Sequence, residues 1–227
     1  SFVLFLLVMP RWAAMRWSAE RPWAALGICQ ANQQEQRGPA AALLKGLLIA
    51  AGLLMVITSV VLIDGSGNWR GEVDATQLTN AVLLCLGVGF AEELIFRSWL
   101  WTELQEMIGS RRAAWAQAGI FSLVHTRFNL GLGAMSGLLI GLFLLGMVLA
   151  RQRQSDRGSL WGCIGLHGGL VAGWFLLQSG LLELSPNAPS WVVGPGGNAP
   201  NPLGGAVGLI SLLILLLIQR TAVAKAA

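Results

Sequence analysis

Two adjacent carboxylates, Glu92 and Glu93, stand one helical turn before Arg97 in the apolar run from Ala81 to Trp101. The chain has only two histidines, and both lie in apolar segments: His125 ends Phe121-Ser-Leu-Val-His125, and His167 sits in Gly165-Leu-His167-Gly-Gly-Leu-Val171. Carboxylates and imidazoles are the side chains that exchange protons near neutral pH. An ionisable group at the middle of a bilayer costs at least about 2.5 kcal/mol, so such groups call for partners, water or a function. Lipid supplies no partner. The five side chains are therefore expected to share one polar site. At helical spacing Glu93 and Arg97 face each other, while Glu92 is rotated by about 100° and is the freer carboxylate. Phe121 and His125 share a face in the same way, so the ring is expected to pack against the imidazole.

The elements that must position these residues read as membrane helices. Hydrophobic residues make up 55% of the 227, charged residues 11%, and the mean hydropathy is +0.64, which excludes an ordinary soluble domain. Set against the roughly 20 apolar residues a bilayer core requires, the candidate spans are 41–63, 78–101, 113–128, 130–150, 161–182 and 203–218. The expected fold is an all-α, polytopic transmembrane helical bundle of about six full spans, plus a truncated N-terminal helix ending near Met9. That first fragment has no initiator Met and lacks the charged n-region of a signal peptide. The expected organisation is a helix end and cytoplasmic linker over 1–40, a span and outer loop over 41–77, a membrane core that holds the five ionisable side chains over 78–182, and an outer Pro/Gly-rich loop with a last span over 183–227.

Orientation follows from Lys and Arg, which cytoplasmic loops carry in excess. Arg11, Arg16, Arg21, Arg37, Lys45, Arg111, Arg112, Arg151, Arg153, Arg157, Arg220 and Lys225 fall in alternate connections, whereas 64–77 holds Arg70 alone and 183–202 no basic residue. This predicts an integral membrane protein with a cytoplasmic C-terminus. Trp12, Trp17, Trp99, Trp101, Trp115 and Trp161 fall at the same inferred interface, where amphipathic indoles prefer to lie. The net charge of +4 needs only an anionic inner leaflet as partner, and no nucleic acid. Counting about 1.5 Å per residue from the cytoplasmic ends puts Glu92 roughly 14 Å deep, His167 about 9 Å and His125 about 18 Å. The three cysteines lack the spacing of a disulfide framework or zinc knuckle. Glycines at four-residue spacing, Gly133, Gly137 and Gly141, then Gly165, Gly169 and Gly173, read as close helix packing.

Glu92-Glu93-Leu-Ile-Phe-Arg97 resembles the EExxxR motif, Phe121-Ser-Leu-Val-His125 the FxxxH motif, and His167 the start of the HxxxN/D motif of the CPBP family of intramembrane proteases, the Rce1-like CaaX-processing and bacteriocin-processing group. The resemblance covers about 78–174. It implies an intramembrane endopeptidase in which Glu92 is the general base for a water attacking a peptide carbonyl, His125 and His167 position that water or the oxyanion, and Glu93 with Arg97 holds the helix and tunes the field. One position departs from the pattern: Val171 stands where Asn or Asp is expected. Asn129, one turn beyond His125, is a polar side chain that could compensate, but it is not the expected substitute.

Other readings use the same residues. Glu92, His125 and His167 are the donor types of an open catalytic zinc site, but no HExxH is present, so metal-independent chemistry without a cofactor is expected. No Ser/His machinery of the rhomboid type is present. A proton-relay transporter, or a non-catalytic scaffold or immunity-type member of the family, remains the alternative. The expected partner is a membrane-associated peptide or protein, with prenylated CaaX ends and leader peptides equally eligible.

Overall fold

The computed structural model describes residues 2–29, 38–197 and 199–224. Arg37, Lys225 and most of the expected linker over 31–39 lie outside the described residues. The first helix, α1 (Phe2–Arg16), is followed by the single turn α2 (Pro22–Ala25) and by α3 (Pro39–Ile63), where Pro39 occupies a first-turn position that lacks a hydrogen-bond acceptor anyway. Strand β1 (Gly67–Trp69) leads to α4 (Ala75–Glu93), which a capping box starts: the Asp74 carboxylate accepts from the Gln77 backbone and the Gln77 side chain accepts from the Asp74 backbone.

Helix α4 does not stop at the glutamates. It widens into a π-helical stretch, Leu94–Leu100, and continues as α5 (Trp101–Ile108), one rod of 34 residues. Gly109, at φ 77°, turns the chain into α6 (Ser110–Leu123). Then come α7 (Leu132–Ser155) and α8 (Trp161–Leu176), which also ends in a π-helical stretch, Leu177–Leu181. Strand β2 (Leu182–Leu184), the short α9 (Ser190–Val193), a 3-10 turn at Pro202–Gly204 and α10 (Ala206–Ala224) complete the fold.

The helices Pro39–Ile63, Ala75–Ile108, Leu132–Ser155 and Trp161–Leu181 are long and apolar enough to cross a membrane, and Ala206–Arg220 is a shorter apolar helix. The expectation of a span over 113–128 needs correction. Helix α6 has 14 residues, about 21 Å of rise against the ~30 Å of a hydrocarbon core. It ends because the sequence turns polar: His125 and Thr126 close turns onto the Ser122 and Leu123 carbonyls, and Gly131 resets the chain for α7. His125 is thus just past a helix, not inside one. The first helix also runs beyond Met9 to Arg16, with Pro10 inside it, because Met9 and Ala13 bury against Leu26, Leu94, Leu160 and Ile164.

The all-α expectation holds apart from one small addition. Strands β1 and β2 pair antiparallel, Gly67 opposite Leu184 and Trp69 opposite Leu182, which joins the two poorly basic connections at one end of the bundle. Ion pairs Lys45–Asp156 (2.9 Å) and Arg16–Glu103 (3.6 Å) lie in the basic connections. Trp12 and Trp17 both donate their indole N–H to Glu103 at 2.8 Å. The Pro/Gly-rich outer loop packs on the bundle, with Val192 and Val193 buried in the main core beside Leu203.

Helix α8 is the hub. Gly165 meets the backbone of Leu43 and Leu47 on α3, and Gly169 meets Ala50. On its other side Gly168 abuts the backbone of Cys85 on α4, and Gly89 of α4 abuts Gly168 in return. That absence of side chains brings His167 against the carboxylates of α4. A Gly168→Ala protein is expected to lose about 1–3 kcal/mol of stability through overpacking. Thermal unfolding in detergent checks this, and an unchanged midpoint would contradict the close contact.

Candidate active site

Glu92 and Glu93 end α4, Arg97 lies in the π-helical stretch, His125 in the turn after α6, and His167 in the middle of α8. The structure brings all five together. Glu93 and Arg97 are fully buried and paired at 3.0 Å, as their i,i+4 spacing predicts. The same Glu93 oxygen lies 2.8 Å from His167 Nδ1. The remaining guanidinium nitrogens of Arg97, Nε and Nη2, have no hydrogen-bond partner among the described residues, and the group is instead stacked 4.0 Å above the Phe121 ring. That face is the negative pole of an aromatic quadrupole, so it offsets part of the missing hydration.

Glu92 takes the other side of both imidazoles. Its Oε2 is 3.5 Å from His125 Nε2 and 3.9 Å from His167 Nε2. The partners assign the ring protons. His125 Nδ1 is 2.7 Å from the Phe121 carbonyl, which can only accept, so Nδ1 carries a hydrogen. His167 Nδ1 faces the arginine-paired carboxylate oxygen of Glu93, an acceptor, and carries one too. In the neutral rings both Nε2 atoms therefore point lone pairs at Glu92 Oε2. Two lone pairs and a carboxylate oxygen do not attract one another. A shared proton or a water donating to them is what the arrangement suits, and separations of 3.5 and 3.9 Å exceed a direct hydrogen bond.

These groups line one wall of a cavity of about 280 Å3 whose remaining surface is mostly apolar, from Leu54, Leu142, Leu145, Leu170 and Trp174. Val171 lies in the same wall, so the departure from the family pattern faces the cavity. Asn129 does not line it and is exposed, so it does not fill that place. The turn that ends α6 early carries Asn129 outward.

Several lining residues were not evident from spacing. Arg127, Gln178 and the segment from Ala199 to Leu203 line the same cavity as Glu92. Arg127 donates to the Ala199 carbonyl at 3.3 Å and the Trp174 indole to the Pro200 carbonyl at 2.8 Å. The Pro/Gly/Asn-rich composition of this segment marked a turn but carried no signal that it would enter the bundle. Arg153 also went unnoticed as a site residue. Its guanidinium donates to the Arg97 carbonyl within the π-helical stretch and lies over the Trp101 ring.

Residues 74–173 match the family model described as type II CAAX prenyl endopeptidase Rce1-like. Residues 74–173 belong to the Rce1-like family. The Rce1-like match runs from the Asp74 cap of α4 to Gly173 in α8 and contains all five site residues, whereas Ala199–Leu203 fall beyond it. The Rce1-like family is a protease family, and with four helices able to cross a bilayer the chain is an integral membrane protein. No curated protein and no solved structure matches the chain.

Proposed function

We propose that this protein is an intramembrane endopeptidase that hydrolyses membrane-associated peptides or proteins with a water activated by Glu92. The observation that carries the reading is the convergence of two imidazole Nε2 atoms on Glu92 Oε2 at a cavity wall. Glu92 takes a proton from water as its oxygen attacks the carbonyl carbon. The tetrahedral oxyanion collapses, the C–N bond breaks, and the proton passes from Glu92 to the leaving nitrogen. His125, held by the Phe121 carbonyl, and His167, held by Glu93, orient the water through their Nε2 atoms. Glu93 and Arg97 act through His167 and are positioning residues.

Among the described residues no group of three or more His, Cys, Asp and Glu side chains is placed to hold a metal ion. His167 directs Nδ1 to Glu93, and its Nε2 stands 3.9 Å from Glu92. The reaction proposed here routes no step through a zinc ion. It takes no cofactor. Cleavage by the purified protein in proteoliposomes is expected to persist in EDTA. Loss in EDTA with recovery on adding zinc would overturn the metal-independent reading. The proposed setting is a bacterial-type plasma membrane with the C-terminus cytoplasmic, the lipid bilayer and a peptide as the partners, and no nucleic acid.

The reaction itself is tested with a library of membrane-tethered peptides, some ending in a prenylated CaaX sequence and some resembling leader peptides, with new termini read by mass spectrometry. Peptides cut by the wild type and spared by Glu92→Gln support the reading and name the substrate class. No Glu92-dependent cut, together with proton-coupled uptake by sealed vesicles, would favour transport. No cut and no uptake would favour a scaffold.

A further inference from the structure

The hydrogen-bond pattern leaves the cavity short of one kind of group. Hydrolysis through Glu92 develops negative charge on the carbonyl oxygen, and that oxygen needs donors already in place. With the Nδ1 hydrogens engaged by the Phe121 carbonyl and Glu93, each imidazole turns Nε2 toward Glu92, and in the neutral ring that atom offers a lone pair and no donor. Val171 offers nothing. Arg97, the buried cation, is engaged with Glu93 and stacked on Phe121.

Asn201 supplies the missing chemistry. It lines the same cavity as Glu92, His125, His167 and Val171. Its backbone N–H donates to the Pro195 carbonyl at 2.8 Å and its carbonyl accepts from Gly204 at 3.1 Å. Its side-chain Oδ1 accepts from the Leu203 N–H at 3.1 Å. That last bond fixes the amide: the oxygen must face Leu203, so Nδ2 takes the opposite side. The two N–H donors on Nδ2 have no partner among the described residues. Three of the four polar groups of Asn201 are thus spent on holding the fourth still.

The segment around it is built to stay. Besides the bonds from Arg127 and Trp174, the carbonyls of Leu203 and Gly204 fit against Gly141 and Gly137 of α7, where a Cβ would collide with them. The glycine stripe of α7 is therefore a seat for this segment more than a helix contact, since Gly133 meets nothing. Gln178 also lines the cavity, but no hydrogen bond holds its amide among the described residues. A donor free to rotate must be ordered during the reaction, whereas a fixed one is not.

We infer that Asn201 is a catalytic residue whose Nδ2 donates to the oxyanion of the scissile carbonyl, from a segment outside the family-matched region, supplying to the cavity the donor that Val171 lacks. The inference rests on the peptidase reading above. In that role Asn201 binds the transition state more tightly than the substrate, so its loss falls on kcat and not on KM.

The test uses the peptide that wild-type protein cuts in proteoliposomes. Asn201→Asp keeps the acceptor for Leu203 and removes both donors. It is expected to lower kcat by about 10²–10³-fold with KM changed little and an unchanged unfolding midpoint. Adding V171N to Asn201→Ala is expected to restore at least tenfold of the activity Asn201→Ala loses. Wild-type kcat in a folded Asn201→Asp protein would overturn the inference, whatever Asn201→Ala does to folding. A hundredfold loss in Gln178→Ala beside wild-type kcat in Asn201→Asp would transfer the role to Gln178 and overturn it too. Failure is separable from failure of the peptidase reading: if Glu92→Gln still cuts, the reaction is misassigned and Asn201 falls with it. If Glu92→Gln is inactive and Asn201→Asp is not, only the Asn201 assignment fails.

Discussion

Glu92→Gln is expected to insert and fold like the wild type and to cut peptide about a thousandfold more slowly, the middle of the range a general base contributes. The substitution is nearly isosteric, and Glu92 is the least constrained of the site's acids. Its side chain is 27% exposed to the cavity, whereas that of Glu93 is fully buried. Among the described residues no Lys or Arg pairs with it, so removing its charge strands no such cation in the core. What disappears is the one carboxylate among the described residues that faces both Nε2 atoms. An amide cannot take up the proton of an attacking water, and its NH2 end would donate to an imidazole lone pair and lock the wall in an unreactive state. His125→Ala is expected to act in the same direction while leaving the fold intact, because the imidazole lies past the end of α6 and is part-exposed. Initial rates across a substrate series, with unfolding midpoints measured beside them, separate chemistry from folding.

Arg97→Ala has the opposite signature, a loss of stability before any loss of chemistry. Both Arg97 and Glu93 are 0% exposed, so the truncated protein holds a buried carboxylate with only His167 as partner. Breaking a buried pair by removing one member costs about 3–5 kcal/mol. The guanidinium also leaves the Phe121 face, which borders both histidines: Phe121 and His125 have ring centroids 4.7 Å apart, Phe121 and His167 5.6 Å. Arg97→Lys keeps the charge but loses the planar fork that stacks and bonds at once, so it is expected to recover only part of the stability. Thermal unfolding in detergent checks the order wild type, Lys, Ala. Equal midpoints for all three proteins would show that Glu93 does not rely on Arg97.

How far the fold was legible depends on the range of the interaction that decides each element. Hydropathy is local, and it marked the helices around 41–63, 78–101, 130–150 and 161–182, which the structure contains with shifted ends. The i,i+4 contacts are local too, so the Glu93–Arg97 pair and the packing of Phe121 on His125 followed from spacing. The π-helical widening at Leu94–Leu100 did not follow, since no glycine or proline announces it. It accompanies a tertiary contact, the Arg153 guanidinium on the Arg97 carbonyl. Helix α6 was misjudged because apolar residues on either side of His125 kept the average hydropathy high while the turn chemistry of 125–131 ended the helix.

The site was legible as a set of residue types and illegible as a geometry. That His167 would bond Glu93 through Nδ1 and turn Nε2 toward Glu92 depends on Gly168 and Gly89 letting α8 and α4 touch, a contact between residues far apart in sequence. The entry of Ala199–Leu203 depends likewise on Gly137 and Gly141. Glycine spacing indicated close approach but not what approaches.

The claim that Glu92 drives peptide hydrolysis is tested most directly by comparing the peptide termini in membranes of cells carrying the wild type or Glu92→Gln at equal abundance. The account predicts one or more membrane-associated peptides that accumulate uncleaved in the Glu92→Gln cells and appear as two fragments with the wild type. Identical sets of termini in the two membranes would contradict it.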